Sequence, residues 1–326
     1  MSRDLNAFFY YYEIRINSGG CLVNILISGG TGFIGSHLTN VLKKDRHHVY
    51  ILSRQSKSSE HPYVHYIKYD EDNYNDLSWT KELPEEIDLV YNFSGASLNN
   101  KWTDYYKDLI LSSRLNMTNM LYQWLFDSKI KPLAFVNASA IGYYPTSKLV
   151  EYDEYDVLSP NDFLSTVVNK WEGAARQIES LGIRTVYTRF GLILSREEGA
   201  LPILEKLYKA NLGGNIASSR QWYSWIHIDD VINALYFVGL NQDIDGPVNI
   251  TAPVAVRQKE FSKVLSAVLG TPNFFKTPNF LLNSLLGERS MLITEGQKVH
   301  PRRLLNNEFK YLYPTLDQAL EQIYSK

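Results

Sequence analysis

The run Asn24-Ile25-Leu26-Ile27-Ser28 is apolar and rich in branched side chains. It ends on Gly29-Gly30-Thr31-Gly32-Phe33-Ile34-Gly35 and passes straight into a helical pattern carried by Leu38, Val41 and Leu42. A buried strand, a glycine loop and an amphipathic helix, in that order, constrain the fold more than any other feature of the chain. Gly29 permits the tight turn, Gly32 lets backbone N–H groups approach a pyrophosphate, and Gly35 lets the helix lie close on the strand. The helix N-terminus then faces the anion, with Thr31, Phe33 and Ile34 beside it. This unit predicts a bound dinucleotide at the mouth of an α/β fold with a doubly wound parallel sheet, the Rossmann arrangement.

A second strand is expected at His48-Val49-Tyr50-Ile51-Leu52. The position that reads the adenosine ribose follows it, about 20 residues beyond the glycines, and an Asp or Glu there would bind the 2′-hydroxyl of NAD. This chain has Ser53-Arg54, with Lys57 nearby, so a 2′-phosphate would meet a hydroxyl and a cation. The expected cofactor is NADP(H).

Further strand-like runs are Val64 to Tyr69, Ile87 to Asn92, Ala134 to Ser139 and Ile183 to Arg189. Helical stretches separate most of them, notably Thr103 to Phe126 and Phe163 to Leu181. Such alternation specifies a parallel sheet covered on both faces, with ligands beyond the carboxyl ends of its strands. Asp70, Ser94-Gly95-Ala96, Ser139 and Arg189-Phe190 are therefore expected around one crevice, Asp70 either accepting from an adenine amino group or capping a turn. After Gly191 the alternation loosens, and the aromatic run around Trp222, Trp225 and His227 begins a substrate-side lobe. The chain thus divides into residues 1–23, an N-terminal extension; 24–195, the nucleotide-binding domain; and 196–326, mainly the substrate-side lobe, with a small C-terminal domain from about residue 278. The extension reads either as an arm on the sheet or as a mis-assigned start, with initiation at Leu22 or Val23.

One cysteine, 44% hydrophobic residues and a net charge of −2 describe a reduced, cytoplasmic protein with no disulfide framework. Nucleic acid and anionic membrane are poor partners for that charge, no apolar run approaches a membrane span, and the seven histidines show no metal-ligand spacing. The expected partner is a small-molecule substrate, for a monomer or homodimer.

With these residues on the page the chain resembles the extended short-chain dehydrogenase/reductase superfamily, in its NAD(P)-dependent epimerase/dehydratase group. The glycine loop, the segment Asp88 to Ala96 and the segment Trp225 to Val231 carry the likeness. Ser113-Arg114-Leu115, Ala140 to Tyr144, Lys170-Trp171-Glu172, Gln221-Trp222, Gly246 to Asn249 and Gly296 to Pro301 narrow it to an epimerase-like subfamily with a small C-terminal domain of unknown function.

The resemblance implies a Tyr-x-x-x-Lys pair on the helix after the fifth strand, the Tyr moving the proton and the Lys lowering its pKa. This helix has none. Aligned on Glu172, Leu164 and Val168 fill the two slots; aligned on Lys170, Thr166 fills the Tyr slot. A Tyr-x-x-x-Lys does occur at Tyr144 to Lys148, but Pro145 and the strand before it argue for a loop, where that spacing does not align two side chains. The remaining catalytic candidates are Ser139, Tyr143, Tyr144, Lys170, His227 and Arg114, the last consistent with an anion-holding site. Two functions follow: an NADP(H)-dependent epimerase or oxidoreductase with a substitute for the missing pair, or a cofactor-binding sensor or partner-binding module without chemistry.

Overall fold

The structure, a computed structural model, describes residues 22–210, 213–216, 218–273, 275–277, 284 and 287–325. Both readings of the N-terminal extension fall almost wholly outside the described residues.

Seven strands form the central sheet: β1 (Asn24–Ser28), β2 (His48–Ser53), β3 (Val64–Lys68), β4 (Leu89–Asn92), β5 (Ala134–Ala140), β6 (Thr185–Phe190) and β7 (Gly246–Ile250). Their order is β7-β6-β5-β4-β1-β2-β3, every pairing parallel. Helices α1 (Phe33–Lys44), α2 (Asp104–Asp127) and α3 (Phe163–Glu179) fall between the strands. After β6 come α4 (Leu201–Lys209), α5 (Ile228–Leu240), α6 (Gln258–Leu269) and α7 (Leu316–Tyr324).

The two-residue period of β1 explains the layering. Ile25 and Ile27 pack with Leu38 and Leu42 of α1 and Val231 and Leu235 of α5. Leu26 points the other way, into Met117 and Leu121 of α2 and Ala175 and Ile178 of α3. A sheet buried on both faces by helices is the doubly wound arrangement expected. A separate core, with Leu194, Leu204, Trp225, Phe261 and Leu320, gathers part of the chain after β6, while α5 and β7 stay with the central sheet. Trp225 is therefore core, whereas Trp222 lines the crevice described below.

Strand β7 escaped the strand-pattern reading. Gly246, at φ +64°, and Pro247 hide its short apolar run, and Pro is tolerated because β7 is an edge strand.

Candidate functional site

The glycine loop is a cradle that leaves no room for a side chain at Gly29 or Gly35 and little at Gly32. Gly29 adopts φ +72°, and a Cβ on it would lie 2.8 Å from the Phe93 carbonyl carbon at the end of β4. A Cβ on Gly35 would run into the Gly29 carbonyl oxygen and lie 2.6 Å from the Gly30 Cα, while one on Gly32 would stand 3.3 Å from that same oxygen. Gly32 caps α1 with extended backbone, no side chain accepts from the helix end, and no acid sits in the first turn. By contrast Thr103 caps α2 and Asp162 caps α3. The first N–H groups of α1 are therefore left for an anion.

Gly29, Gly32, Phe33, Ile34 and Gly35 open onto a crevice of about 660 Å³ that runs to Ser139 and on between α3 and the C-terminal segment around Met291. Ser139 is 3% exposed, and its hydroxyl donates to Glu172 Oε1 at 2.5 Å. The Glu172 carboxylate also accepts from Arg189 Nε and Nη2, both at 2.8 Å. Arg189 Nη1 donates to the Tyr144 hydroxyl at 2.9 Å, and that hydroxyl in turn donates to Asn249 Oδ1 at 2.9 Å. Ser139 is thus the crevice end of a buried chain that crosses β5, α3, β6 and β7.

Several expected site residues are placed elsewhere. Arg189 turns into the interior, its guanidinium 3.5 Å from the Tyr143 ring centroid, so it faces Glu172 and not the crevice. Tyr144 is 1% exposed, its hydroxyl is bonded to Asn249 and the Asp153 carbonyl rather than turned to the crevice, and burial pushes its phenol far up. The Tyr143 hydroxyl accepts from the Leu158 N–H, away from the crevice. His227 is buried against Tyr313, its Nδ1 accepting from the Asp229 N–H and its Nε2 bonded to Gln322. Lys170 is exposed on the outer side of α3. Asp70 takes the turn-capping alternative, Oδ1 accepting from the Asp72 N–H, and is exposed. For Arg189 and Lys170 the cause is that neighbouring residues on a strand or helix face different ways, and chain position alone does not say which.

Other expected residues stay at the crevice or its rim. Gly95, Phe190 and Arg114 line it; Ser94 and Ala96 follow β4 beside the cradle, and Thr31 is exposed at the loop tip. Ser53 is buried at the end of β2, and Arg54 beside it pairs with Glu71 at 3.1 Å, both exposed. Arg114 Nη1 donates to the Ile110 and Ala96 carbonyls at 2.7 and 3.2 Å, and its guanidinium stands 5.0 Å from the Trp171 ring centroid. Burial lowers its pKa to about 10.

Residues 25–251 match the NAD dependent epimerase/dehydratase family model, and residues 277–323 match a domain of unknown function (DUF1731). The chain belongs to the NAD-dependent epimerase/dehydratase family. An epimerase family protein of Staphylococcus saprophyticus is 42% identical over 298 residues, covering 91% of this chain and 98% of that one. The epimerase family protein YfhF of Bacillus subtilis is 40% identical over 301 residues, covering 92% and 98%. Among solved structures, the human epimerase family protein SDR39U1 (isoform2) with NADPH superposes with a TM-score of 0.82 at 32% identity, covering 93% of this chain and 99% of that one.

Within this family member, Leu164 and Val168 line the crevice, joined by Val167 and Trp171. Thr166 instead donates its hydroxyl to the Asp162 carbonyl. Of the two alignments read from the sequence, the one on Glu172 is therefore the one that faces the ligand space. Sequence reasoning missed the role of Glu172 and the wall supplied by Met291 to Ile293. The helical spacing of Leu164, Val168 and Trp171 was the available signal for the wall.

Proposed function

We propose that the protein binds NADP(H) at the Gly29 to Gly35 cradle and acts as an epimerase- or oxidoreductase-like protein on a small molecule in the adjoining crevice, without a Tyr-x-x-x-Lys pair. The observation that carries this reading is the uncapped α1 N-terminus, opening across glycines with little or no room for a side chain onto a crevice that reaches Ser139. The NADPH bound to the human relative supports it. So does Arg54: its exposed pair with Glu71 is worth about 0–1 kcal/mol, so a 2′-phosphate recruits it at little cost. The single cysteine and near-neutral charge support a cytoplasmic setting.

When bound, the nicotinamide supplies hydride exchange. The chain's own residues do the rest. The α1 N–H groups hold the pyrophosphate, and the hydrocarbon wall of Leu164, Val167 and Val168 excludes water. The Ser139 hydrogen is committed to Glu172, so Ser139 presents lone pairs to the crevice and receives a ligand hydroxyl as an acceptor. Trp222, Met291 and Gln297, all from the chain after Ser195, wall the substrate side of the crevice.

A second reading keeps the cofactor and drops the chemistry. It is favoured by one observation: hydrocarbon side chains stand where the family pattern has its proton-handling pair. Calorimetry with NADPH and NADH, on wild type and Gly32→Val, tests the cofactor site; binding of NADPH that survives Gly32→Val sinks it. A single-turnover assay following NADPH absorbance across carbonyl and sugar-nucleotide panels then separates the two readings. Oxidation above background that drops by an order of magnitude in Ser139→Ala supports the enzyme, and tight binding with no oxidation supports the module.

A further inference from the structure

The crevice wall beside Ser139 is hydrocarbon from three directions. Leu164, Val167 and Val168 come from α3, Leu98 from the loop after β4, and Met291 from the C-terminal segment. Leu98, Leu164, Val167 and Met291 belong to one apolar cluster that also holds Trp102 and Ile110. A ligand covered with hydroxyls would lose its hydration against this wall and gain few partners, a desolvation cost that an apolar body does not meet.

One cation interrupts the wall. Arg114 is anchored by Nη1 on two backbone carbonyls and lies over the Trp171 ring, 5.0 Å from its centroid, which positions the guanidinium before any ligand arrives. Its Nε and Nη2 donors take part in no hydrogen bond among the described residues, and no carboxylate there pairs with it. Elsewhere along the crevice the ionic groups are committed or peripheral. Asp162 accepts from the Ser165 N–H, Arg289 donates to the Asn99 carbonyl, and Glu198 and Glu295 are exposed. A planar fork with unused donors in an apolar setting matches one singly charged, planar anion. A diphosphate would bring further charges against hydrocarbon and against the exposed glutamates.

We propose that this crevice takes an apolar carboxylic acid, its carboxylate on Arg114 and its hydrocarbon body along Leu98, Leu164, Val167 and Met291. The proposal rests on the reading of the crevice as the ligand space beside the cofactor cradle. In that pose a hydroxyl on the ligand body can reach the acceptor side of Ser139.

The test is calorimetric, on the full chain, with phenylbutyrate, phenylbutanol and UDP-glucose as probes, each with and without saturating NADPH. A charge-assisted pair predicts that phenylbutyrate binds tighter than the alcohol by roughly tenfold or more. Arg114→Met keeps a hydrocarbon stem against Trp171 and is expected to abolish that preference while leaving NADPH affinity within about twofold. The proposal is overturned by no measurable phenylbutyrate binding, by equal affinity for acid and alcohol, by UDP-glucose binding tighter than phenylbutyrate, or by a preference that persists in Arg114→Met. Parallel loss of NADPH affinity in that variant overturns it too, because Arg114 would then hold the cofactor. Should the variant fail to fold, the wild-type comparison of acid with alcohol decides alone. The NADPH titration reports on the cofactor reading separately, so a carboxylate preference without NADPH binding would sink that reading and leave this inference standing.

Discussion

Glu172 is 2% exposed and accepts three hydrogen bonds, one from Ser139 and two from Arg189. Glu172 Oε1 accepts from Arg189 Nε and Oε2 from Nη2, so an amide at this position sets its NH2 against an Arg189 donor in either orientation and leaves the guanidinium buried without a counter-charge. Removing one partner of a buried ion pair costs about 3–5 kcal/mol, so Glu172→Gln should lower unfolding stability by that order in urea titration. A loss below about 1 kcal/mol would mean that Arg189 finds another anion or water. Arg54 presents the opposite case, an exposed cation in a weak pair. A charge-assisted bond to a 2′-phosphate is worth about 1.5–3 kcal/mol, so Arg54→Ala should weaken NADPH binding roughly 10- to 150-fold and leave NADH nearly unchanged. Ser53→Asp should push preference toward NADH by repelling the phosphate. Equal weakening of both nucleotides by Arg54→Ala would remove Arg54 from the cofactor site. The contrast also shows where single residues were legible. The end of β2, where Ser53 and Arg54 stand, could be placed because that strand follows the glycine loop and its helix at a short chain distance. Glu172 could not, because its partners lie 33 residues before it and 17 after it, and only the sheet brings them together. Arg189 and Phe190 could have been told apart by the strand's two-residue period once one of them was known to face the crevice.

At the scale of elements, the strand, loop and helix from Asn24 to Lys44 were legible because each junction has a local cause. The strand is continuous apolar sequence, the turn needs Gly29 at positive φ, and the helix needs a bare Gly35 to close on the loop. Strand β7 was illegible for the converse reason, since its pairing to β6 overrides a Gly-Pro start that reads as a turn. Two glycine substitutions test this local logic with opposite signs. Gly35→Ala drives a methyl into the backbone of Gly29 and Gly30, which cannot yield as a flexible side chain would, so it should destabilise by about 1–3 kcal/mol and weaken NADPH binding as well. Gly173 lies exposed in the interior of α3 with nothing within 4 Å of an added Cβ. Gly173→Ala should stabilise by about 0.5–1 kcal/mol by lowering unfolded-chain entropy. Melting temperatures of the two variants should move apart around the wild type. A shift of the same sign in both would show that the loop's close approach is not what selects glycine.

Across the whole molecule, the C-terminal segment is tied back to the body by buried polar groups rather than by a long strand. Glu154 accepts from the backbone N–H groups of Asn249, Arg302 and Arg303, and Asp230 accepts from those of Leu312 and Tyr313. His227, at the start of α5, reaches Gln322 on α7 at 2.8 Å. None of these ties was visible in the sequence, where His227 read as a catalytic candidate. Two of them titrate with opposite sign. Burial lifts the Asp230 carboxyl from 3.8 to about 7, so the folded chain keeps a proton that the unfolded chain has released, and this contribution declines as pH climbs through that interval. Burial lowers the His227 imidazole below its ordinary 6.5, and its Nδ1 must stay unprotonated to accept from the Asp229 N–H. Below about pH 6.5 the unfolded chain therefore takes up a proton that the folded chain refuses, and stability falls as pH falls. His227→Gln removes this second effect alone. The variant should lose stability against wild type at about pH 8, where only the lost contacts count, and the gap should narrow steadily toward about pH 5, where the neutral imidazole no longer favours the folded state over a protonated unfolded chain. Urea titrations at several pH values measure both curves. A gap that widens on acidification would show that His227 is favoured as a cation in the folded protein, and a constant gap that the imidazole titrates alike in the folded and unfolded chain; either outcome rejects the prediction.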